Sequence, residues 1–283
     1  MRPRIRTYTA SDGYRLHYRH WEPEGGPKAR IVVLHGIQSH SGWFTYSSRR
    51  LCEAGFEVLF LDRRGSGMNE PARGDAASDA QLVDDVTQML VRVGERSGAS
   101  DSRRPVILLG MSWGGKLAAV TAARSPDLVD QLVLLYPGLC AHVHTRWDQN
   151  LWLAMASRLG MRGRRIRVPL DDAALFTGDR VWQDFIRTDP LALRDVSVSF
   201  LLANRRLDRA LPQLPAVIRC PLLAMLAGRD EITDNEATKR YLSKFTASRS
   251  TVIEYPAARH TLEFEPDREK FVNDLVGWLQ GQL

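Results

Sequence analysis

The sequence predicts an α/β fold, a mostly parallel eight-stranded sheet flanked by helices and interrupted by one helical insertion. Three observations carry this. Short apolar runs recur along the chain with helix-length amphipathic stretches between them, the pattern of a parallel sheet covered on both faces. The alternation stops between about residues 138 and 219 and then resumes. Of 283 residues, 44% are hydrophobic and 25% charged, an ordinary globular balance with ample core.

The elements follow in order. Two strands open the chain, at Arg4–Thr9 and Tyr14–Trp21, with Ser11-Asp12-Gly13 as a hairpin turn. After a Pro/Gly loop over residues 22–28, strands are expected at Ile31–Leu34, Phe56–Leu61, Val106–Leu109, Leu132–Leu135, Leu222–Leu226 and Thr251–Tyr255. Helices are expected at Trp43–Ala54, Asp79–Glu95, Trp113–Arg124, Asn235–Phe245 and Arg268–Leu279. Residues 138–219 contain no good strand. They offer helical stretches at Trp147–Leu159 and Val196–Leu211 and a basic loop, Arg162–Arg167. An insertion that begins just past a strand lies over the carboxyl edge of the sheet, where open α/β sheets bind ligands. We read residues 1–137 and 220–283 as the core and 138–219 as a cap.

Gly110-Met111-Ser112-Trp113-Gly114 stands between a predicted strand and a predicted helix. That context lifts a serine onto a sharp turn with its hydroxyl exposed at the carboxyl end of a parallel strand. A serine hydroxyl needs a base, and the base needs a carboxylate to fix its tautomer. Six of the seven histidines lie before residue 145; only His260 follows the later strands. Asp230, just past Leu222–Leu226, is the carboxylate of choice, with Glu231 and Asp234 as alternatives. An oxyanion hole calls for preorganised N–H groups. Trp113, after the serine, supplies one. Ile37, in His35-Gly36-Ile37-Gln38 after the third strand, supplies the other, with His35 bracing the loop. Trp147, Leu151, Trp152 and Met155 are candidates to line an acyl channel.

The remaining features exclude more than they assign. Asp62-Arg63-Arg64-Gly65-Ser66-Gly67 lacks the Gly-Lys-Ser/Thr ending of a phosphate loop and reads as a structural turn, with Asp62 and Arg64 holding loops together. His142-x-His144 has no supporting carboxylate or cysteine, so neither metal nor cofactor is expected. The net charge is +6, with five lysines among 39 basic residues, but no nucleic-acid motif accompanies it. Cys52, Cys140 and Cys220 form no disulfide framework or metal pattern. With no run of about 18 apolar residues and no signal-peptide pattern, a cytoplasmic protein with at most peripheral membrane contact is expected.

Together these motifs resemble the α/β-hydrolase superfamily over nearly the whole chain. They are most similar to its monoacylglycerol lipase and lysophospholipase-like group. The resemblance rests on His35-Gly36 with Ser39-His40-Ser41-Gly42, Asp62-x-Arg64-Gly65-x-Gly67, Gly110-x-Ser112-x-Gly114-Gly115, Gly228-x-Asp230-x-x-x-Asp234 and Ala257-x-x-His260. It extends to the cap end, Asp189-Pro190-Leu191 through Arg209-Ala210-Leu211-Pro212. It implies a serine esterase acting on a small-molecule ester or lipid. Met111 and Trp113 replace the His and Met that usually flank the serine in that group, and Ser-Trp-Gly-Gly also occurs in proline aminopeptidases. Three alternatives follow: a lysophospholipase using Arg162–Arg167, a proline-aminopeptidase-like amide hydrolase using Asp171, Asp172, Asp179 and Asp184, and a non-catalytic receptor on the same fold.

Overall fold

The computed structural model describes residues 2–95, 103–142, 155–156, 158–245 and 250–283. Eight strands form one sheet: β1 (Arg4–Thr9), β2 (Arg15–Trp21), β3 (Ala29–Leu34), β4 (Phe56–Leu61), β5 (Val106–Met111), β6 (Gln131–Leu135), β9 (Leu222–Ala227) and β10 (Ser250–Tyr255). Their spatial order is β1-β2-β4-β3-β5-β6-β9-β10. β2 runs antiparallel to both β1 and β4, and every other pairing is parallel. Every residue of β3, β4, β5, β6 and β9 is buried, which is why these strands read as nearly continuous apolar runs.

Alternate residues face opposite layers. Val32, Leu34 and Leu108 pack with Leu82, Val86 and Leu90 of α2 (Asp79–Glu95) and Leu117 of α3 (Trp113–Arg124). Ile31, Val33 and Leu109 pack with Leu51 of α1 (Thr45–Glu53) and Phe271 and Leu275 of the last helix, Arg268–Gln280. The opening hairpin turns at Gly13, at φ 83°, a conformation glycine adopts without steric cost.

Two local expectations need correction. The segment between β6 and β9 does contain strands: β7 (Arg165–Arg167) pairs antiparallel with β8 (Asp195–Ser197). At three residues each they are too short for an alternation signal. Arg167 of the supposed basic loop bonds Asp171 at 2.7 Å and Asp195 at 3.5 Å. The first helix also starts later than expected, after a 3₁₀ turn at Ser41–Phe44. Glu263, remote in sequence, accepts the N–H groups of Tyr46 (2.8 Å) and Ser47 (3.2 Å) and so caps α1 from outside.

Between β6 and β9 the chain also forms α4 (Arg180–Thr188), capped by Asp179, and α5 (Val198–Ala210), capped by Ser197. The short α6 (Leu214–Val217) follows, then α7 (Asn235–Leu242) and α8 (Arg268–Gln280) in the core. α5 packs on α2 and α3. Asp189, after α4, accepts from Trp43 Nε1 at 2.5 Å and bonds His40 Nε2 at 3.0 Å, tying this segment to the loop after β3. No described helix is long and apolar enough to cross a membrane.

Candidate active site

Parallel strands deliver their loops to one edge of the sheet, and the candidate residues gather there from the ends of β3, β5, β9 and β10. Ser112 stands between β5 and α3, at the helix N-cap, with φ 51° and ψ −122°. This left-handed backbone is strained for a side-chain-bearing residue and is held by its surroundings. Ser112 N–H donates to Leu135 O at 3.0 Å, and Ser112 O accepts from Gly115 and Gly138 N–H at 2.9 and 2.7 Å. The flanking glycines are sterically required. A Cβ on Gly110 would lie 2.7 Å from Ala118 Cβ and collide with Gly114 O, and one on Gly114 would meet the carbonyls of Leu34 and His35.

His260 Nε2 stands 2.8 Å from Ser112 Oγ, and His260 Nδ1 stands 2.7 Å from Asp230 Oδ2. Asp230 also accepts Ile232 N–H (2.8 Å), Thr233 N–H (3.0 Å) and Thr233 Oγ1 (2.6 Å). Burial pushes the Asp230 carboxyl upward, but His260 and the Thr233 donors outweigh it and hold the group below its usual range. An ionised Asp230 only accepts, so His260 carries its proton on Nδ1 and presents Nε2 as acceptor to the serine hydroxyl. Tyr136 and Phe176 close on the imidazole edge-on, with centroids 4.9 and 6.0 Å away. Of the alternative carboxylates, Glu231 is 3.5 Å from Arg259, and Asp234 caps α7 through Ala237 N–H. Neither bonds His260 among the described residues.

On the other side of Ser112 lies the loop after β3. A Cβ on Gly36 would be 3.2 Å from Ser39 Oγ and 3.3 Å from Ser112 Cβ, tighter than an ordinary contact, so the bare glycine lets this loop pass close beside the serine. His35 is buried; its Nε2 accepts Arg63 N–H at 3.0 Å, which leaves Nδ1–H to donate to Gly36 O at 2.7 Å. Burial first, then the Arg63 charge, pushes the His35 pKa down to about 3, so the ring stays neutral. In a planar trans peptide C=O and N–H point opposite ways, so holding Gly36 O aims the Ile37 N–H away from His35. Asp62 accepts Ser41 and Met68 N–H at 2.8 and 2.9 Å, and Arg64 bonds Asp85 at 2.6 Å and Asp12 at 3.0 Å, the loop-holding role expected of both.

Two clefts open on Ser112. One is lined by Trp43, Phe44, Met111, Tyr136, Leu170, Phe176 and His260, with Gln38 in its wall. The other is lined by Ile37, Trp113, Lys116, Val168, Pro169, Leu170, Leu201 and Ile232. Of the residues expected to line an acyl channel, Met155 is 48% exposed and lines neither cleft. Trp147, Leu151 and Trp152 lie outside the described residues, as does His144 of the histidine pair. No group of three metal-ligating side chains occurs among the described residues. Sequence reasoning did not reach Gln38, Tyr136, Leu170 or Phe176. Gln38 is buried, and neither atom of its amide has a hydrogen-bond partner among the described residues. No motif signals it.

Comparison with known proteins adds relatives to this geometry. The family model Hydrolase_4, described as serine aminopeptidase, S33, matches residues 25–267. The monoacylglycerol lipase of Mycolicibacterium smegmatis is 24% identical over 278 residues, covering 98% of this chain and 97% of its own. The human monoglyceride lipase is 28% identical over 260 residues, covering 90% and 82%. Among solved structures, a soluble variant of the monoglyceride lipase from Saccharomyces cerevisiae, in complex with a substrate analog, superposes with a TM-score of 0.88. At 19% identity it covers 100% of this chain and 96% of its own.

Proposed function

Because the chain belongs to the Hydrolase_4 (serine aminopeptidase, S33) family, we propose that it is a serine hydrolase that cleaves carboxylic esters, with a monoacylglycerol or similar lipid monoester as substrate. The observation that carries this reading is the continuous Asp230–His260–Ser112 hydrogen-bond chain, 2.7 and 2.8 Å, ending on a strained serine between two clefts.

Ser112 Oγ attacks the ester carbonyl as His260 Nε2 takes its proton, and Asp230 stabilises the imidazolium. The carbonyl oxygen becomes an oxyanion and accepts the Ile37 and Trp113 N–H groups. Collapse of the tetrahedral intermediate breaks the ester C–O bond, and His260 protonates the departing alcohol. Water then loses a proton to His260, attacks the acyl-enzyme and releases the fatty acid, returning the proton to Ser112. In this reading residues 138–219 form the cap, and its Val168, Leu170, Phe176 and Leu201 help to line the two clefts. Their aliphatic and aromatic linings suit an acyl chain, while the unpartnered Gln38 amide offers a donor and an acceptor to a hydroxyl of the alcohol part.

The aminopeptidase-like alternative needs free carboxylates near the cleft to hold an amine. The four weighed for that task are occupied elsewhere. Asp171 pairs with Arg167 and Asp184 with Arg187, while Asp172 and Asp179 cap Ala174 and Val181 N–H. The lipid ester is therefore the better reading.

Fatty-acid release from medium- and long-chain monoacylglycerols, measured with wild type and Ser112→Ala in parallel, tests it. Ser112-dependent release is expected. Absence of release, with turnover of a prolyl amide or a lysophospholipid instead, would move the substrate class and keep the serine chemistry. Failure of the folded protein to react with a fluorophosphonate would favour a receptor.

A further inference from the structure

Arg63 is an unusual residue to bury. It is 7% exposed, and among the described residues no carboxylate forms an ion pair with its guanidinium. Isolated buried cations are costly unless something specific holds them. Burial first, then repulsion from Arg73, pulls its pKa down to about 9, which still leaves it charged at neutral pH. What holds it is the machinery around Ser112. Arg63 Nη2 donates to Ile37 O at 3.0 Å, and Nη1 reaches Arg64 O at 3.5 Å. The guanidinium carbon lies 4.9 Å from the ring centroids of both Trp113 and Phe200, whose own centroids are 5.2 Å apart, so the charge rests against one side of this ring pair. Its own N–H fixes the tautomer of His35, which holds Gly36 O.

Two of these contacts, to the Ile37 carbonyl and the Trp113 ring, end on the residues of the proposed oxyanion hole. The consecutive carbonyls of Gly36 and Ile37 are held by His35 and Arg63, so the peptide planes on both sides of Ile37 are set. The Trp113 side chain, on the first residue of α3, is held by the cation.

We propose that Arg63 is a positioning residue for the oxyanion hole: through the Ile37 carbonyl and the Trp113 ring it holds both backbone donors in place and sets a fixed positive charge behind the developing oxyanion. This rests on the ester-hydrolase reading above.

The test compares a ligand that forms the oxyanion with one that does not. An alkyl trifluoromethyl ketone adds to the serine and places an oxyanion in the hole; an unreactive alcohol of equal chain length only fills the cleft. For Arg63→Met we expect kcat/KM and ketone affinity to fall together, about 10- to 100-fold, mostly in kcat. KM and alcohol affinity should stay within about threefold. If Arg63→Met does not fold, Arg63→Lys keeps the charge but not the planar fork, and a parallel fall of about 3- to 10-fold is expected. Ketone affinity unchanged in a folded variant overturns the proposal, and so does an equal loss for ketone and alcohol, which would be mere loosening of the site. Wild-type protein that neither hydrolyses ester nor binds the ketone removes the underlying reading instead.

Discussion

The two flanks of Ser112 are built by different physics. On the His260 side, side chains meet side chains in one short relay, and Asp230 is fixed by its own turn through Ile232 and Thr233. On the Ile37 side, the proposed donors are backbone N–H groups, and the side chains act on carbonyls and rings one step back. A relay of single atoms fails when one member is lost. A scaffold shared between His35, Arg63 and several glycines loosens by degrees. The same serine thus depends on an all-or-none flank and a graded one.

This contrast can be broken by experiment. The largest effects belong to the relay: Ser112→Ala should lower ester turnover at least about a thousandfold, and Asp230→Asn, which favours the wrong tautomer of His260, by a comparable factor. Steady-state kinetics on variants with wild-type circular dichroism would check both, and a loss below tenfold would sink the relay. Gly110→Ala comes next and acts on the elbow. Its methyl collides with Gly114 O and Ala118, so a loss of about 3 kcal/mol in unfolding free energy is expected in urea titrations. An unchanged midpoint would mean that strand and helix can separate without cost.

The smallest effect is one of pH. Burial raises the Glu263 carboxyl from 4.5 to about 7, against the N–H donors of Ser47 and Tyr46. The folded state therefore holds this proton more tightly than the unfolded chain. Its contribution to stability is complete below about pH 4.5 and is lost as pH rises through about 7. In that window wild type should lose stability relative to Glu263→Gln. Parallel stability curves for the two proteins would show that Glu263 does not titrate there.

What could be read from the sequence divides along the same line as the two flanks. The buried strands announce themselves because both faces are covered, so each is a nearly continuous apolar run. Ser112 is legible because an elbow needs its glycines at fixed spacing, and His260 because only one histidine follows the later strands. Contacts between distant segments leave no such trace. Glu263 caps a helix more than 200 residues upstream. The β7–β8 ribbon is three residues wide. Gln38 and Arg63 matter through what surrounds them, and their neighbours in sequence give no hint of it.

Trp113 has one more neighbour with a practical consequence. Its indole lies 5.2 Å from the Phe200 ring and donates from Nε1 to Asn204 at 2.7 Å, and both partners belong to α5. The chromophore next to Ser112 in sequence is therefore tied through its side chain to α5. Any displacement of α5 strips the indole of its acceptor and admits water, which shifts its fluorescence to the red. Difference emission between wild type and Trp113→Phe would isolate that signal and let the seating of α5 be followed optically during turnover.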